Sequence, residues 1–206
     1  MFHPLTLFPH TWFRRCLAVL LLLWIAGCAM QKPADISGAP DLVLQKQLTA
    51  TTHWQFTGKL AVRTPTQSES ARIQWQQDGE RFDIHLSGPA GLKATRIYGV
   101  PGDVNFEQGE HHFSAESVEA LSEQLVGWPL PATELGWWLR GLPAPGSRVE
   151  AAGYTAEGWL SSLVQNYWIL QLSDPRVSGR LVLPGRIEAT QGDTRVILII
   201  KDWQVR

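Results

Sequence analysis

A period-two alternation of side chains constrains this chain more than any other feature. In Trp54-Gln55-Phe56-Thr57-Gly58-Lys59-Leu60-Ala61-Val62-Arg63 the even positions are apolar or glycine, and most odd positions are polar. Successive side chains of a β-strand point to opposite faces, so the pattern predicts a half-buried strand. Ala71, Ile73 and Trp75 then alternate with Arg72, Gln74 and Gln76, and Phe82, Ile84 and Leu86 alternate with Arg81, Asp83 and His85. Asp78-Gly79 between these two runs is a hairpin signal. Three consecutive strands, each with one greasy and one wet face, describe an antiparallel sheet curved around something.

The same reading continues along the chain. Strands are predicted over 93–98, 103–107, 112–114, 159–165, 167–172, 181–183, 186–190 and 195–203, giving about ten or eleven in all. Trp168, Leu170 and Leu172 share one face. Val196-Ile197-Leu198-Ile199-Ile200 is apolar on both faces and predicts a central strand covered on both sides. Between the strand groups the period becomes helical. Val118, Leu121, Leu125 and Val126 recur at i, i+3, i+7 and i+8, with Gly127 as a stop. Thr133 is placed to cap a second helix carrying Leu135, Trp138, Leu139 and Leu142, before Gly141 and Pro143 end it. The spacing of Leu44 and Leu48 permits a further short helix from about Asp41. The class is mainly β with some α.

Upstream, Arg14-Arg15 precede an apolar run that ends in Ile25-Ala26-Gly27-Cys28. A permanent membrane span needs ~20 apolar residues, and this run is too short for one. Its ending resembles the lipobox of bacterial lipoproteins. That resemblance implies cleavage before Cys28, a diacylglyceryl group on its thiol and an acylated amino end; a plain signal peptide with an incidental cysteine is the alternative. Residues 1–27 are thus expected to be a lipoprotein signal, 28–49 a lipidated Pro/Gly/Ser-rich tether, and 50–206 one domain. In enterobacterial lipoproteins Asp after the cysteine favours the inner membrane; Ala29 here points to the outer one.

Chemistry is sparse in what remains. Cutting before Cys28 removes Arg14 and Arg15 from the 18 Lys and Arg, leaving a small negative charge against 19 Asp and Glu. Nothing suggests a nucleic-acid partner. Cys16 leaves with the signal and Cys28 is consumed by lipid, so no thiol is left for a disulfide, a metal or catalysis. His53, His85, His111 and His112 fall on polar faces or turns, and Glu116, Glu119 and Glu123 lie away from the apolar stripe of their helix. The sequence has no nucleophile elbow, zinc-protease pair or phosphate-binding glycine loop. No enzyme, metal or cofactor is expected. The apolar faces exceed what a flat sheet needs, and they serve either a greasy cavity or an ordinary core filled by the helices.

Read in order, WQFTGKLAV at 54–62, ARIQWQQ at 71–77, LSGPAG at 86–91, LVGWPLP at 125–131, WLRGLP at 138–143, LPGRIE at 183–188 and KDW at 201–203 resemble the LolB family of outer-membrane lipoprotein receptors. The set spans essentially all of the mature chain. The resemblance implies an antiparallel sheet of eleven strands rolled into an incomplete β-barrel, lidded by helices over an apolar cavity. It implies a lipid-anchored monomer on the periplasmic face of the outer membrane, which accepts acylated lipoprotein cargo from the soluble periplasmic carrier LolA and inserts it into that membrane. On this reading Trp75, Phe82, Ile84, Leu86, Trp168 and Leu170 line the cavity, with Leu121, Leu135, Trp138 and Leu139 on the lid. Pro89, Ala90, Gly91 and Leu92 form the membrane-delivery loop. The family carries Leu where this chain has Ala90; either Leu92 takes that role as the loop tip or it turns inward as core. A membrane-tethered envelope scaffold and a lipocalin-like lipid carrier are the alternatives, the latter disfavoured by helices that lie mid-chain.

Overall fold

The computed structural model of the chain describes residues 38–88, 94–126 and 130–206. Asp41 opens helix α1 (Leu42–Ala50), its carboxylate accepting from the N–H groups of Val43 and Leu44 at 2.8 and 3.1 Å. These are two of the donors that a helix start leaves unpaired. Leu44 and Leu48, one turn apart, are its buried residues. The predicted short helix is therefore present across the end of 28–49, and its Leu44 and Leu48 join the core of the sheet domain.

The first meander is β1 (His53–Arg63), β2 (Ser68–Asp78), β3 (Arg81–Ser87), β4 (Thr95–Val100), β5 (Asp103–Gln108) and β6 (His111–Ala115). Helices α2 (Val118–Val126) and α3 (Ala132–Trp138) follow. The second group is β7 (Val149–Tyr154), β8 (Leu160–Gln165), β9 (Trp168–Ser173), β10 (Arg176–Ser178), β11 (Leu181–Leu183), β12 (Arg186–Gln191) and β13 (Thr194–Val205). Eleven strands form one sheet in the order β6-β5-β4-β3-β2-β1-β13-β12-β9-β8-β7, and β10 pairs with β11 alone. Neighbours are antiparallel throughout. The edge strands β6 and β7 do not pair with each other, so the sheet is an unclosed barrel, as expected.

Four differences from the sequence reading have physical causes. Strand β7 was not predicted, because Val149-Glu150-Ala151-Ala152-Gly153-Tyr154 shows no alternation; it is an edge strand and mostly exposed. The three-residue β10 is too short to leave a pattern. Pro131, not Thr133, occupies the cap of α3, and the helix ends at Trp138. Leu139 and Leu142 are buried from the turn beyond it, where Gly141 has φ 75°. Finally, β13 is central between β1 and β12 but is not covered on both sides. Val196, Leu198, Ile200 and Trp203 face the core, whereas Ile199 on the opposite face is 38% exposed.

Candidate functional site

The inner face of the sheet carries one continuous apolar row. Trp203 stands opposite Phe56, Phe56 opposite Trp75, Trp75 opposite Ile84, Ile84 opposite Ile97, Ile97 opposite Phe106, and Phe106 opposite Phe113. Directly opposed side chains on one face lie ~4.5–5.5 Å apart at Cβ and pack on one another. The row therefore crosses seven adjacent strands without a polar break. Aromatic rings thicken it on β13, β1 and β2: Phe56 and Trp203 have centroids 5.1 Å apart, and Trp54 lies 5.7 Å from Trp75. Burial grades along it, from Phe56 on the sheet's central strand β1 at 1% exposed to Phe113 on edge strand β6 at 36%.

Two helices cover this face at different places. Helix α2 buries Val118 and Leu121 against Val104 of β5, with Phe82, Ile97 and Phe106 packed around them. Helix α3 brings Trp138 against Trp168 of β9, ring centroids 6.3 Å apart. The helices are tied to each other through Glu119, whose carboxylate accepts from the Thr133 N–H at 2.9 Å. Glu119 is thus a bridge between helices, where its spacing suggested plain solvation.

The predicted cavity residues are brought together. Trp75, Ile84, Trp138, Leu139, Trp168 and Leu170 share one buried cluster with Phe82, Leu86 and Leu135 packed on it, and Leu121 belongs to the smaller cluster under α2. They are closely packed in this conformation: Trp138, Leu139 and Leu170 are fully buried. A separate pocket beside α1, between Leu44, Leu48, Leu160 and Leu183, has a volume of only about 10 Å³, room for at most one water. Cys28 and Pro89, Ala90, Gly91 and Leu92 lie outside the described residues.

Two buried polar side chains hold the lid, and neither was singled out from the sequence. Gln165 on β8 is fully buried and makes four bonds. Its oxygen accepts from the Trp138 indole at 2.9 Å and from the Ala144 N–H at 2.8 Å, and its amide donates to the carbonyls of Ala144 and Ser147 at 2.8 and 3.0 Å. Every hydrogen-bonding position of the carboxamide is filled, as burial demands. Arg140, just past α3, donates to the carbonyls of Gly136, Leu48 and Thr51 at 3.0, 3.2 and 2.8 Å. Its guanidinium lies 4.4 Å from the centre of the Trp137 ring. Burial pulls its pKa below the ordinary value, yet a guanidinium remains charged at neutral pH. Arg140 therefore clasps the C-terminal turn of α1 to the lid through carbonyl oxygens.

The polar outer face offers ion pairs. Asp83 takes a bidentate contact from Arg96 at 3.1 and 2.7 Å, and this holds its carboxyl below the usual value, with His85 adding to the effect. Among the described residues no group of three His, Cys, Asp or Glu is placed to hold a metal ion.

An unclosed antiparallel sheet, an uninterrupted apolar inner face and a helical cover fastened by a few hydrogen bonds define a class of shelter for greasy material. The family model of outer membrane lipoprotein LolB matches residues 52–203. Outer-membrane lipoprotein LolB of Cellvibrio japonicus is 40% identical over 195 residues, spanning 92% of this chain and 95% of that protein. LolB of Stutzerimonas stutzeri is 39% identical over 199 residues, 94% of this chain and 96% of its own length. A solved LolA superfamily protein from Nitrosomonas europaea overlays with a TM-score of 0.49 at 12% identity, over 80% of this chain and 92% of its own. The chain belongs to the LolB family of outer-membrane lipoproteins.

Proposed function

We propose that this protein accepts acylated lipoproteins from a LolA-like soluble carrier and hands them to the outer membrane. It works as a monomer held on the periplasmic face by acyl chains on Cys28, without catalysis or a cofactor. The observation that carries this reading is the apolar row from Trp203 to Phe113. Each methylene withdrawn from water contributes ~0.8 kcal/mol, so a carrier of acyl chains needs apolar wall and little else. Three chains do not fit the packed interior, so entry requires α2 and α3 to lift away from Phe82, Ile97 and Trp168. The graded end of the row at Phe113 is where the wall first becomes accessible. Handover then needs a higher affinity in the receiver than in the giver, and no nucleotide.

The close packing around Leu139 and Leu170 favours a second reading, a membrane-tethered scaffold whose apolar face is only a core. One experiment separates the two. The full-length protein is mixed with LolA carrying a labelled lipoprotein, and the label is followed into the protein and on into vesicles. Transfer is the expected result. Its failure with both proteins folded overturns the acceptor reading and leaves the scaffold.

A further inference from the structure

The outer face of the sheet holds a pocket that the acceptor reading does not use. It has a volume of about 280 Å³ and is lined by Lys59, Ala61, Arg72, Gly88, Ile197 and Ile199, among others. The registers explain it. Arg72, Lys59, Ile199 and Arg186 stand side by side across β2, β1, β13 and β12, and Ser70, Ala61, Ile197 and Glu188 form the next row. The apolar outward side of β13, where Ile199 is 38% exposed, is its floor.

Around the pocket, basic side chains outnumber acidic ones. Arg186 and Arg195 both pair with the single carboxylate of Glu188. Among the described residues Lys59 and Arg72 pair with no carboxylate. Asp202, beyond the bulge in β13, accepts from Gln204 instead. The result is an apolar floor with two uncompensated cations at its rim.

We propose that this pocket binds an anionic phospholipid of the membrane the protein serves. The phosphate sits between Lys59 and Arg72, and the top of one acyl chain lies over Ile197 and Ile199. Size decides against the cargo as occupant. Sites for whole drug-sized ligands run from ~300 Å³ upward, so the pocket takes a headgroup and the start of a tail, not three chains. The rest of the lipid stays in the bilayer, and the contact sets the face that the protein turns towards it. This inference rests on the acceptor reading only in that both require a membrane at hand.

The test uses the full-length lipidated protein in phosphatidylcholine vesicles containing a trace of photoreactive phosphatidylglycerol, or of photoreactive phosphatidylcholine in a parallel arm. Cross-linked peptides are identified by mass spectrometry. The phosphatidylglycerol probe is expected to label peptides from β1, β2 and β13. Each basic side chain at an anionic surface is worth roughly fivefold in binding, so Lys59→Gln with Arg72→Gln should cut that labelling by about twentyfold or more. Both side chains point to solvent, and circular dichroism checks that the double variant is folded. Equal labelling by phosphatidylcholine, labelling unaffected by the double variant, displacement by excess inorganic phosphate, or no labelling of these strands would each overturn the proposal. Cross-linking of Lys59 to an acidic protein in place of lipid would also overturn it. Cargo transfer, read in the same vesicles, reports separately on the acceptor reading, since either signal can be lost while the other remains.

Discussion

The Trp138 indole N–H donates to the side-chain oxygen of Gln165 across 2.9 Å, between two residues with no exposed surface. One residue belongs to the lid and the other to β8, so on the acceptor reading this bond crosses the boundary that parts for entry. The same oxygen also accepts from the Ala144 N–H, so one carboxamide on β8 holds both the end of α3 and the turn after it. Replacing Gln165 with Leu would strand the Trp138 and Ala144 donors and the Ala144 and Ser147 carbonyls. A buried unpaired group costs ~1–3 kcal/mol, and partial relaxation brings the expected loss to about 3–5 kcal/mol. A urea unfolding curve measures it.

Arg140→Lys should cost about 1–3 kcal/mol, although the charge is kept. A lysine cannot fork to the carbonyls of Leu48 and Thr51 while also reaching Gly136, and it gives up the flat stack on Trp137. Hydrogen exchange locates the change: protection of the Thr51 amide, which donates to Leu48, should fall more than that of the central strands.

Leu170→Ala and Phe113→Ala should behave differently. Leu170 is fully buried in the packed cluster, and truncation of such a leucine typically costs ~2–5 kcal/mol. Phe113 is a third exposed at the sheet edge, so its loss should cost no more than about 1 kcal/mol while slowing cargo uptake. Thermal melts beside transfer assays read both. If Phe113→Ala leaves uptake untouched, the edge is not the entrance.

Gly58→Ala is expected to weaken the joint between β1 and β13. A Cβ there would come within 2.3 Å of the Ile199 carbonyl oxygen, next to the register shift at Thr57/Gly58. Backbone on both sides has to move, and a loss of ~2–4 kcal/mol in denaturant stability is the expected reading.

Acid should remove one small contribution. The Asp83 carboxyl has its pKa lowered in the folded state, chiefly by the Arg96 hydrogen bonds. A lowered folded value means the pair stabilises fully above the unfolded carboxylate value near ~4 and is lost as pH falls through the folded one. The Arg96 side chain is 42% exposed and that of Asp83 31%, so solvent screening keeps the contribution small. Asp83→Asn should be slightly less stable at neutral pH and match the parent once acid has protonated the folded carboxyl.

Much of this was legible because one face of each early strand is mostly apolar. Trp75, Ile84 and Phe82 could be placed inward from alternation alone, and the structure puts them there. Alternation failed where the side chains are small, as in β7, whose Ala151, Ala152 and Gly153 have little to bury on either face. It misled at β13, because Ile197 and Ile199 look like core residues whichever way they point. Gln165 and Arg140 were invisible for a different reason. A polar residue becomes a fastening only through partners such as Ala144 and Thr51, which are distant in sequence and adjacent only after folding.

The pairing of β1 with β13 also has a kinetic meaning. Gln55 and Gln204, hydrogen-bonded neighbours, are separated by 149 positions in the chain. Strands β1 to β6 can zip hairpin by hairpin as a meander, and β8, β9 and β12 can assemble among themselves, but no strand pairing joins the two halves until β13 slots beside β1. Contacts this distant in sequence lower folding rates, because loop-closure entropy is lost before any contact compensates for it. Until that step each half presents a raw strand edge, open to pairing with other chains. The protein should therefore fold in milliseconds or slower, and its window of vulnerability to aggregation closes only with the docking of those twelve residues.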